Sequence, residues 1–312
     1  MPFSPNDKHI IVNYHYVDDP RPDRGGFHPC PIEEFEKQIA FLSNEYTVTT
    51  VADVFRTTQS GKKEKVCALT FDDGLKDNFI NAIPVLKKYD ARATFFPITK
   101  TTEGFLPTTH KMHFLLSHES AEKITDRYNA FLEDVFPHMV EAFSISKTER
   151  LTRIRKLYDD VITANVKETM NRVPSAVRNL FLKTLFKELE LNEKEMARSL
   201  FMAPEELKTL RETKHAIGCH GHSHEALDSL EEVMIREDIS SARKTLRNIL
   251  GEITEIFAYP QSAPSGRLHD ILEDEGFSYA LTTERRGVAR GDDPFLIPRF
   301  DTNDIRDFLE RH

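Results

Sequence analysis

The segment VCALTFDDG, residues 66–74, is a short apolar run that ends in two adjacent aspartates and a glycine. A continuous apolar run of this length is typical of a strand that is buried on both faces of a parallel sheet. A lone Asp-Asp-Gly most often forms a turn with solvated charges. A second interpretation is that Asp72 and Asp73 end the strand because its carboxyl end is a functional site.

Short β-rich runs of the same kind recur along the chain and alternate with segments of helical periodicity. Apolar residues at three-to-four spacing predict helices at 31–45, 78–91, 231–251 and 267–277. Nearly continuous apolar strands that alternate with helices are characteristic of a parallel sheet covered by helices, so we predict an α/β fold, a deformed (β/α)7-8 barrel. The predicted strands are 9–17, 45–51, 65–71, 92–99, 215–220, 255–260, 278–283 and 295–300.

One long segment interrupts this alternation. Residues 101–199 contain no convincing strand, and their apolar side chains recur every three or four positions, which predicts a large all-helical insertion. The barrel domain would then comprise residues 1–100 and 200–312. We expect the insertion to be a lid, a substrate contact or a surface for homo-oligomer formation. The apolar positions are Ile124, Tyr128, Phe131, Leu132, Val135, Leu151, Ile154, Leu157, Tyr158, Val161, Val177, Leu180, Phe181, Leu185 and Leu189.

Composition and charge argue against several classes of protein. The 312 residues are 39% hydrophobic and 30% charged, with a formal net charge of -9, which leaves no basic surface for nucleic acid or anionic lipid. The apolar run near the N-terminus is too short for a signal peptide or a membrane span. Cys30, Cys67 and Cys219 form no CxxC pair, and an odd number of cysteines favours reduced thiols in a cytoplasmic protein.

Polar side chains follow several of the predicted strands. Because the carboxyl ends of the strands in a β/α barrel share one mouth, residues far apart in sequence become neighbours there. The sequence therefore predicts that the titratable groups gather at one rim. The strand-ending residues are His15, Asp72, Asp73, His220, Tyr259 and Arg299, with His224 and Pro260 close behind.

Two imidazoles and a carboxylate at this rim suit a divalent metal ion with an open position for water. The donor types favour Zn²⁺, and Co²⁺, Ni²⁺, Fe²⁺ or Mn²⁺ are alternatives. His220 and His224 are the favoured pair, and His222 is an alternative ligand if the segment is extended. Of the two aspartates, one would bind the metal while the other takes a proton from the attacking water.

Three motifs resemble those of the polysaccharide deacetylases of the NodB homology type, also called carbohydrate esterase family 4. TFDDG (70–74) is similar to the family's first motif, IGCHGHSH (217–224) to its second and FAYPQS (257–262) to its third. The resemblance implies that Asp72 is the general base. It also implies that Asp73, His220 and His224 are the metal ligands.

The chain departs from the family pattern in its later motifs. Ala258 and Gln261 stand where the third motif usually supplies an arginine and an aromatic residue. The tryptophan of the fourth motif is absent, and no C-terminal histidine motif is visible. By resemblance to family branches that begin with a Tyr-His strand, His15 would be the general acid.

Arg299 is the candidate to replace the missing arginine. In that role it would lie beside Asp72 at the mouth of the barrel. The alternative is a surface salt bridge from Arg299 to Asp301 or Asp304.

The resemblance and the residues together predict a metal-dependent hydrolase that removes an N-acetyl group from an amino sugar or a sugar-containing precursor. Tyr259, Pro260 and Gln261 would contact the substrate, with a backbone N–H near Gln261 holding the oxyanion. A cytoplasmic enzyme would meet a small, nucleotide-linked or lipid-linked sugar instead of a finished polymer. The alternatives are hydrolysis of another amide, such as a formamide or a cyclic amide, and a catalytically weakened carbohydrate-binding or scaffolding protein.

Overall fold

The structure is a computed structural model that describes residues 3–152, 159–252, 254–261 and 266–311. The chain divides into two compact units. The first unit comprises Met1–Asp19, Pro29–Phe105 and Ala197–His312, and the second comprises Pro20–His28 and Leu106–Met196.

The strands of the first unit are β1 (His9–Tyr14), β2 (Thr47–Thr49), β3 (Val66–Asp73), β4 (Ala93–Pro97), β5 (Ala216–Ile217), β6 (Ile256–Ala258), β7 (Tyr279–Leu281) and β8 (Phe300–Asp301). Strands β5, β4, β3, β1 and β8 lie side by side in that order, and β2 pairs with the first half of β3. Strands β6 and β7 form a second parallel pair, which isolated parallel bridges at Cys219–Phe257 and Leu281–Ile297 link to the segments just after β5 and just before β8. This closed set of parallel strands confirms the predicted deformed barrel.

The helices alternate with the strands and also fill the second unit. They are α1 (Ile32–Glu45), α2 (Val51–Gln59), α3 (Ile83–Lys88), α4 (Thr108–His118), α5 (Ala121–Val135), α6 (Val140–Phe143), α7 (Val161–Arg172), α8 (Ser175–Glu188), α9 (Glu193–Leu200), α10 (Pro204–Glu212), α11 (Glu232–Leu250), α12 (Gly266–Asp274) and α13 (Thr302–Leu309). Short 3₁₀ turns lie at Pro22–Arg24, Thr99–Glu103, Pro137–Met139 and Leu227–Ser229, and a π-helical turn lies at Asn78–Ala82. Helix α11 ends where predicted, at Gly251, whose positive φ of 76° suits a residue without a side chain.

Side-chain alternation along β3 positions the mouth of the barrel. Val66 and Ala68 pack in an interior apolar cluster, to which α2 contributes Val51, Val54 and Phe55. The alternate residues Cys67, Leu69 and Phe71 pack in an outer cluster that includes side chains of α1, α11 and α13. Because successive side chains point to opposite faces, Thr70 and Asp72 continue the interior face toward the carboxyl end of β3.

The described residues of the second unit form helices, turns and irregular segments, and they include no β-strand. Ile124, Tyr128 and Leu132 form the buried face of α5, as their spacing predicts. The prediction that Leu151 lies on a further helix face is wrong, because this residue lies in a bend and is 40% exposed. Helix α7 begins at Val161, and the carboxylate of the preceding Asp160 accepts hydrogen bonds from two of its backbone N–H groups. Three predicted apolar positions of this face lie outside the described residues: Ile154, Leu157 and Tyr158.

Two other predicted core positions of the second unit face solvent. The side chains of Val135 and Leu180 are each 43% exposed, so they do not contribute to a core. Among the helices that the structure describes, none has both the length and the apolar character needed to cross a membrane.

Candidate active site

Asp73, His220 and His224 lie together at the carboxyl ends of β3 and β5. The Asp73 carboxylate oxygen Oδ1 is 3.4 Å from Nε2 of His220 and 3.3 Å from Nε2 of His224. All three residues are buried, and one donor atom from each lies within 4.8 Å of the others. Within the described part of the chain, this is the one group of His, Cys, Asp and Glu side chains with the proximity needed to hold a metal ion.

The backbone at the end of β3 turns Asp73 toward the histidines. Strict alternation would point Asp73 away from the interior face that carries Asp72. Instead, Asp73 has a left-handed φ of 71°, a conformation that costs a non-glycine residue about 1 kcal/mol or more. The next residue, Gly74, also has a positive φ, and a side chain there would lie 2.7 Å from Pro97 on β4. The final Asp-Asp-Gly of the strand therefore forms a sharp turn that presents two adjacent carboxylates to one site.

A hydrogen bond from Nδ1, the ring nitrogen that does not face Asp73, orients the His220 side chain. Its Nδ1 lies 2.8 Å from the backbone oxygen of Ala258, at the end of β6, which leaves Nε2 facing Asp73. This is the arrangement that fixes metal-binding imidazoles in proteins. Burial lowers the pKa of His220, but the negative charges of Asp72 and Asp73 outweigh burial and raise it above its ordinary value.

His222, the alternative ligand, makes a different contact. Its Nδ1 lies 2.8 Å from the hydroxyl oxygen of Thr99, in the turn that follows β4. Its ring nitrogens are not part of the cluster formed by Asp73, His220 and His224. The geometry therefore favours His220 and His224 as the histidine pair.

Asp72 forms a buried ion pair with Arg299. Two guanidinium nitrogens of Arg299 donate to the two carboxylate oxygens of Asp72, each at 2.8 Å. Both residues are almost fully buried, and Arg299 Nε also donates to the backbone oxygen of Thr282. Arg299 thus lies beside Asp72, as expected if it replaces the arginine that the third motif lacks.

Asp301 and Asp304, the alternative partners of Arg299, interact with Arg285 instead. Arg285 lies 3.5 Å from Asp301 and 3.7 Å from Asp304. The alternative of a surface salt bridge from Arg299 to these two aspartates is therefore wrong.

The environment of Asp72 favours its charged form. Burial alone would raise the pKa of this carboxyl group. The positive charges of Arg299, His220 and His15, with the hydrogen bonds from Arg299, outweigh burial and hold the pKa below its usual range. Asp72 is therefore a carboxylate at neutral pH despite its burial.

Asn13 and Thr70 complete this polar network, and sequence reasoning missed both. Asn13 donates through Nδ2 to Asp72 at 3.1 Å and accepts through Oδ1 from Arg299 at 3.0 Å. The Thr70 hydroxyl lies 3.4 Å from Arg299 Nη1 and donates to the backbone oxygen of Val12. For Asn13, the sequence did offer a signal: it is the one amide side chain in HIIVNY, a pattern typical of a buried strand.

His15 is exposed and directly follows β1 at the same end of the barrel. Its backbone oxygen accepts a hydrogen bond of 2.7 Å from the Asn78 side chain in the π-helical turn after β3. His15 also contributes to the lowered pKa of Asp72, so its ring lies within electrostatic reach of the ion pair.

The third motif provides the mouth of the barrel with backbone groups and with the amide side chain of Gln261. The Tyr259 side chain points into the outer apolar cluster and is 2% exposed, so it does not line the mouth as a substrate contact would. Pro260 is buried, and Gln261 is exposed with a left-handed φ of 63°. Gln261 Nε2 donates to the backbone oxygen of His224 at 2.9 Å, which joins this motif to the loop that carries the histidines.

Comparison with known proteins identifies the family. The family model described as polysaccharide deacetylase matches residues 59–280, which is more than half of the chain. The chain belongs to the polysaccharide deacetylase family. This confirms the relationship that the three sequence motifs predict.

Individual relatives of this polysaccharide deacetylase family member are distant or partial. YxkH of Bacillus subtilis (strain 168), which bears the same family name, is 39% identical over 94 residues, a match that spans 29% of this chain and 32% of YxkH. The structure of the Streptococcus pyogenes deacetylase PplD in complex with acetate has a TM-score of 0.61 at 16% identity, covering 99% of this chain and 98% of PplD. IcaB from Ammonifex degensii has a TM-score of 0.57 at 17% identity, covering 94% and 91% of the two chains. At these identities the two structures establish a shared fold.

Proposed function

We propose that this protein is a metal-dependent hydrolase that removes the N-acetyl group from an amino sugar or a sugar-containing precursor. One observation carries the proposal: a cluster of Asp73, His220 and His224 lies directly beside a buried carboxylate, Asp72, that is held by Arg299. Membership of the polysaccharide deacetylase family supports the same reaction class.

The donor set fits a divalent ion. Asp73, His220 and His224 would hold it, because two imidazole nitrogens and a carboxylate oxygen converge and the hydrogen bond that His220 donates to the backbone oxygen of Ala258 orients one imidazole. Zn²⁺ is favoured by these donor types, and Co²⁺, Ni²⁺, Fe²⁺ and Mn²⁺ also accept them. When bound, such an ion polarises a carbonyl group and makes water more acidic.

The side chains of the protein would divide the proton transfers between them. Asp72, kept ionised by Arg299, would accept a proton from the water that attacks the acetyl carbonyl. A backbone N–H at Gln261 would donate to the oxyanion, and His15 would protonate the departing amine. The exposure of His15 suits this last role, because a substrate can approach the ring.

The localisation of the protein bears on which sugar carries the acetyl group. The three cysteines are buried free thiols, which supports the predicted cytoplasmic localisation and hence a small, nucleotide-linked or lipid-linked substrate. Homo-oligomer formation through residues 101–199 stays a prediction. Cell fractionation would measure the localisation, and light scattering would measure the oligomeric state.

The decisive experiment is acetate release by metal-loaded protein over a panel of free, nucleotide-linked and oligomeric N-acetylhexosamines. Asp72→Asn preserves the size of the side chain and removes the base, so we expect turnover to fall at least 100-fold. Asp134→Asn, an exposed change on α5, is the matched control and should leave turnover unchanged. Normal turnover in metal-loaded Asp72→Asn would reject Asp72 as the base.

The alternative functions give different outcomes in the same assay. Hydrolysis of another amide would appear as product from formamide or cyclic amide substrates without acetate release. A catalytically weakened binding protein would bind a sugar without turnover. The ion pair between Asp72 and Arg299 favours catalysis over binding alone, because it supplies the site with a buried carboxylate in addition to the three candidate metal ligands.

A further inference from the structure

We infer that Asp238, on α11, is a positioning residue that holds the loop carrying His220 and His224 in the geometry needed to bind a metal ion. The inference rests on the proposed metal site. It concerns a side chain that is not itself a member of the cluster formed by Asp73, His220 and His224.

Asp238 binds the loop with both of its carboxylate oxygens. Oδ1 accepts a hydrogen bond of 2.7 Å from the backbone N–H of His222, and Oδ2 accepts one of 2.9 Å from the backbone N–H of Ser223. The Ser223 hydroxyl also donates to Oδ2. Asp238 is 8% exposed, so these charge-assisted hydrogen bonds form largely away from water, where they are strong.

The backbone of this loop is shaped to admit the carboxylate. Gly221 has a left-handed φ of 74°, and a side chain there would lie 2.9 Å from Asp238 Oδ1. His224 also has a left-handed φ, 61°, which is unfavourable for a residue that carries a side chain. The glycine adopts its conformation readily, whereas His224 adopts an unfavourable one, and the hydrogen bonds to Asp238 offset the cost at His224.

The opposite side of the loop is held by the turn after β4. The backbone N–H groups of Thr99 and Lys100 donate to the backbone oxygens of Gly221 and His222, at 3.2 and 3.0 Å. These bonds satisfy carbonyl groups only. The N–H groups of His222 and Ser223 depend on Asp238, and a partly buried N–H that loses its acceptor destabilises the conformation that left it unpaired. Without the carboxylate, we expect the loop to shift to regain partners and to move the histidines with it.

Metal affinity distinguishes a positioning role of Asp238 from a role that only stabilises the fold. The variant Asp238→Asn keeps the size of the side chain but presents an NH₂ group to one of the two backbone donors. In metal-stripped protein, titrated with Zn²⁺ and Co²⁺ against a chromophoric chelator, we expect this variant to bind each metal about 10–100-fold more weakly. The Co²⁺ absorption spectrum reports the geometry of the bound ion and should change as well.

Two further variants serve as controls. Glu237→Gln removes an exposed negative charge from the same helix and should leave the affinity for both metals unchanged. Ser223→Ala removes one hydroxyl donor and keeps both backbone hydrogen bonds, so a loss of only a few-fold is expected. Far-UV circular dichroism of the metal-free proteins checks that each variant is folded.

The outcomes separate this inference from the proposed function. Equal metal affinity in wild type and Asp238→Asn, or an equal loss in Glu237→Gln, would overturn the positioning role. If Asp238→Asn does not fold, unchanged affinity in Ser223→Ala would overturn it. If wild-type protein bound metal but released acetate from no substrate, the proposed function would fail while the affinity comparison still decided the role of Asp238.

Discussion

Asn13 contacts both members of the buried ion pair although it carries no charge. It donates to Asp72 at 3.1 Å and accepts from Arg299 at 3.0 Å, so it fixes the two side chains relative to each other. Asn13→Leu is close in size and removes both hydrogen bonds. We expect this variant to lower kcat for acetate release about 10–100-fold, as loss of an orienting hydrogen bond does, with a much smaller effect on KM.

The exposed residue Asn44 on α1 offers a control with the same chemical change. Asn44→Leu should leave kcat and KM unchanged. Unchanged kcat in a folded Asn13→Leu enzyme would show that Arg299 orients Asp72 by itself. Steady-state kinetics well below the unfolding temperature keeps the comparison separate from any loss of stability.

At the scale of one element, α7 begins beside a buried ion pair. The Lys167 ammonium group lies 2.8 Å from the carboxylate of Asp159, and both side chains are no more than 6% exposed. Burial raises the pKa of Asp159, but hydrogen bonds and charge from His28 and Lys167 outweigh burial and lower the pKa from 3.8 to about 2. A carboxyl group with a lowered pKa stabilises the folded state above the pKa of the unfolded chain, and this contribution is lost as pH falls through the folded value.

We therefore expect Asp159→Asn to destabilise the second unit at neutral pH and not in strong acid. A shift of nearly two pKa units corresponds to about 2 kcal/mol at pH 7. The difference from wild type should shrink below about pH 4 and vanish only below about pH 2, where Asp159 of the folded protein is itself mostly protonated. Urea unfolding followed by far-UV circular dichroism at several pH values measures this difference, and Asp134→Asn should show none. A difference that did not depend on pH would contradict the ion-pair explanation.

For the whole molecule, local patterns predicted approximately where the strands end and that their terminal residues share one mouth, but not every contact between them. Apolar runs predicted eight strands, although the last, predicted at 295–300, comprises only Phe300–Asp301. The grouping of Asp73 with His220 and His224 follows from the rule that parallel strands end at one mouth. The pairing of Asp72 with Arg299, 227 positions apart, was expected only from the family resemblance, because it depends on closure of the barrel and no local pattern specifies it. The same limit hid Asp238, because an acidic residue on an amphipathic helix gives no sign in sequence that it faces a loop.

Because folding alone brings the proposed ligands together, metal binding should stabilise the whole first unit. Asp73 ends β3, whereas His220 and His224 follow β5, so an unfolded chain offers the ion no preformed site. A free metal concentration 100 times the dissociation constant would add about 2.7 kcal/mol of stability. Thermal unfolding of metal-stripped wild-type protein should therefore shift upward as Zn²⁺ is added.

Two single changes locate this effect in the structure. Asp73→Asn should abolish the metal-dependent shift, because it removes the carboxylate that faces both imidazoles. His222→Ala should retain it, because the His222 ring contacts Thr99 instead of the cluster. If His222→Ala also lost the shift, His222 would belong to the ligand set. If wild-type protein showed no shift with any of the candidate metals, Asp73, His220 and His224 would not form a metal site.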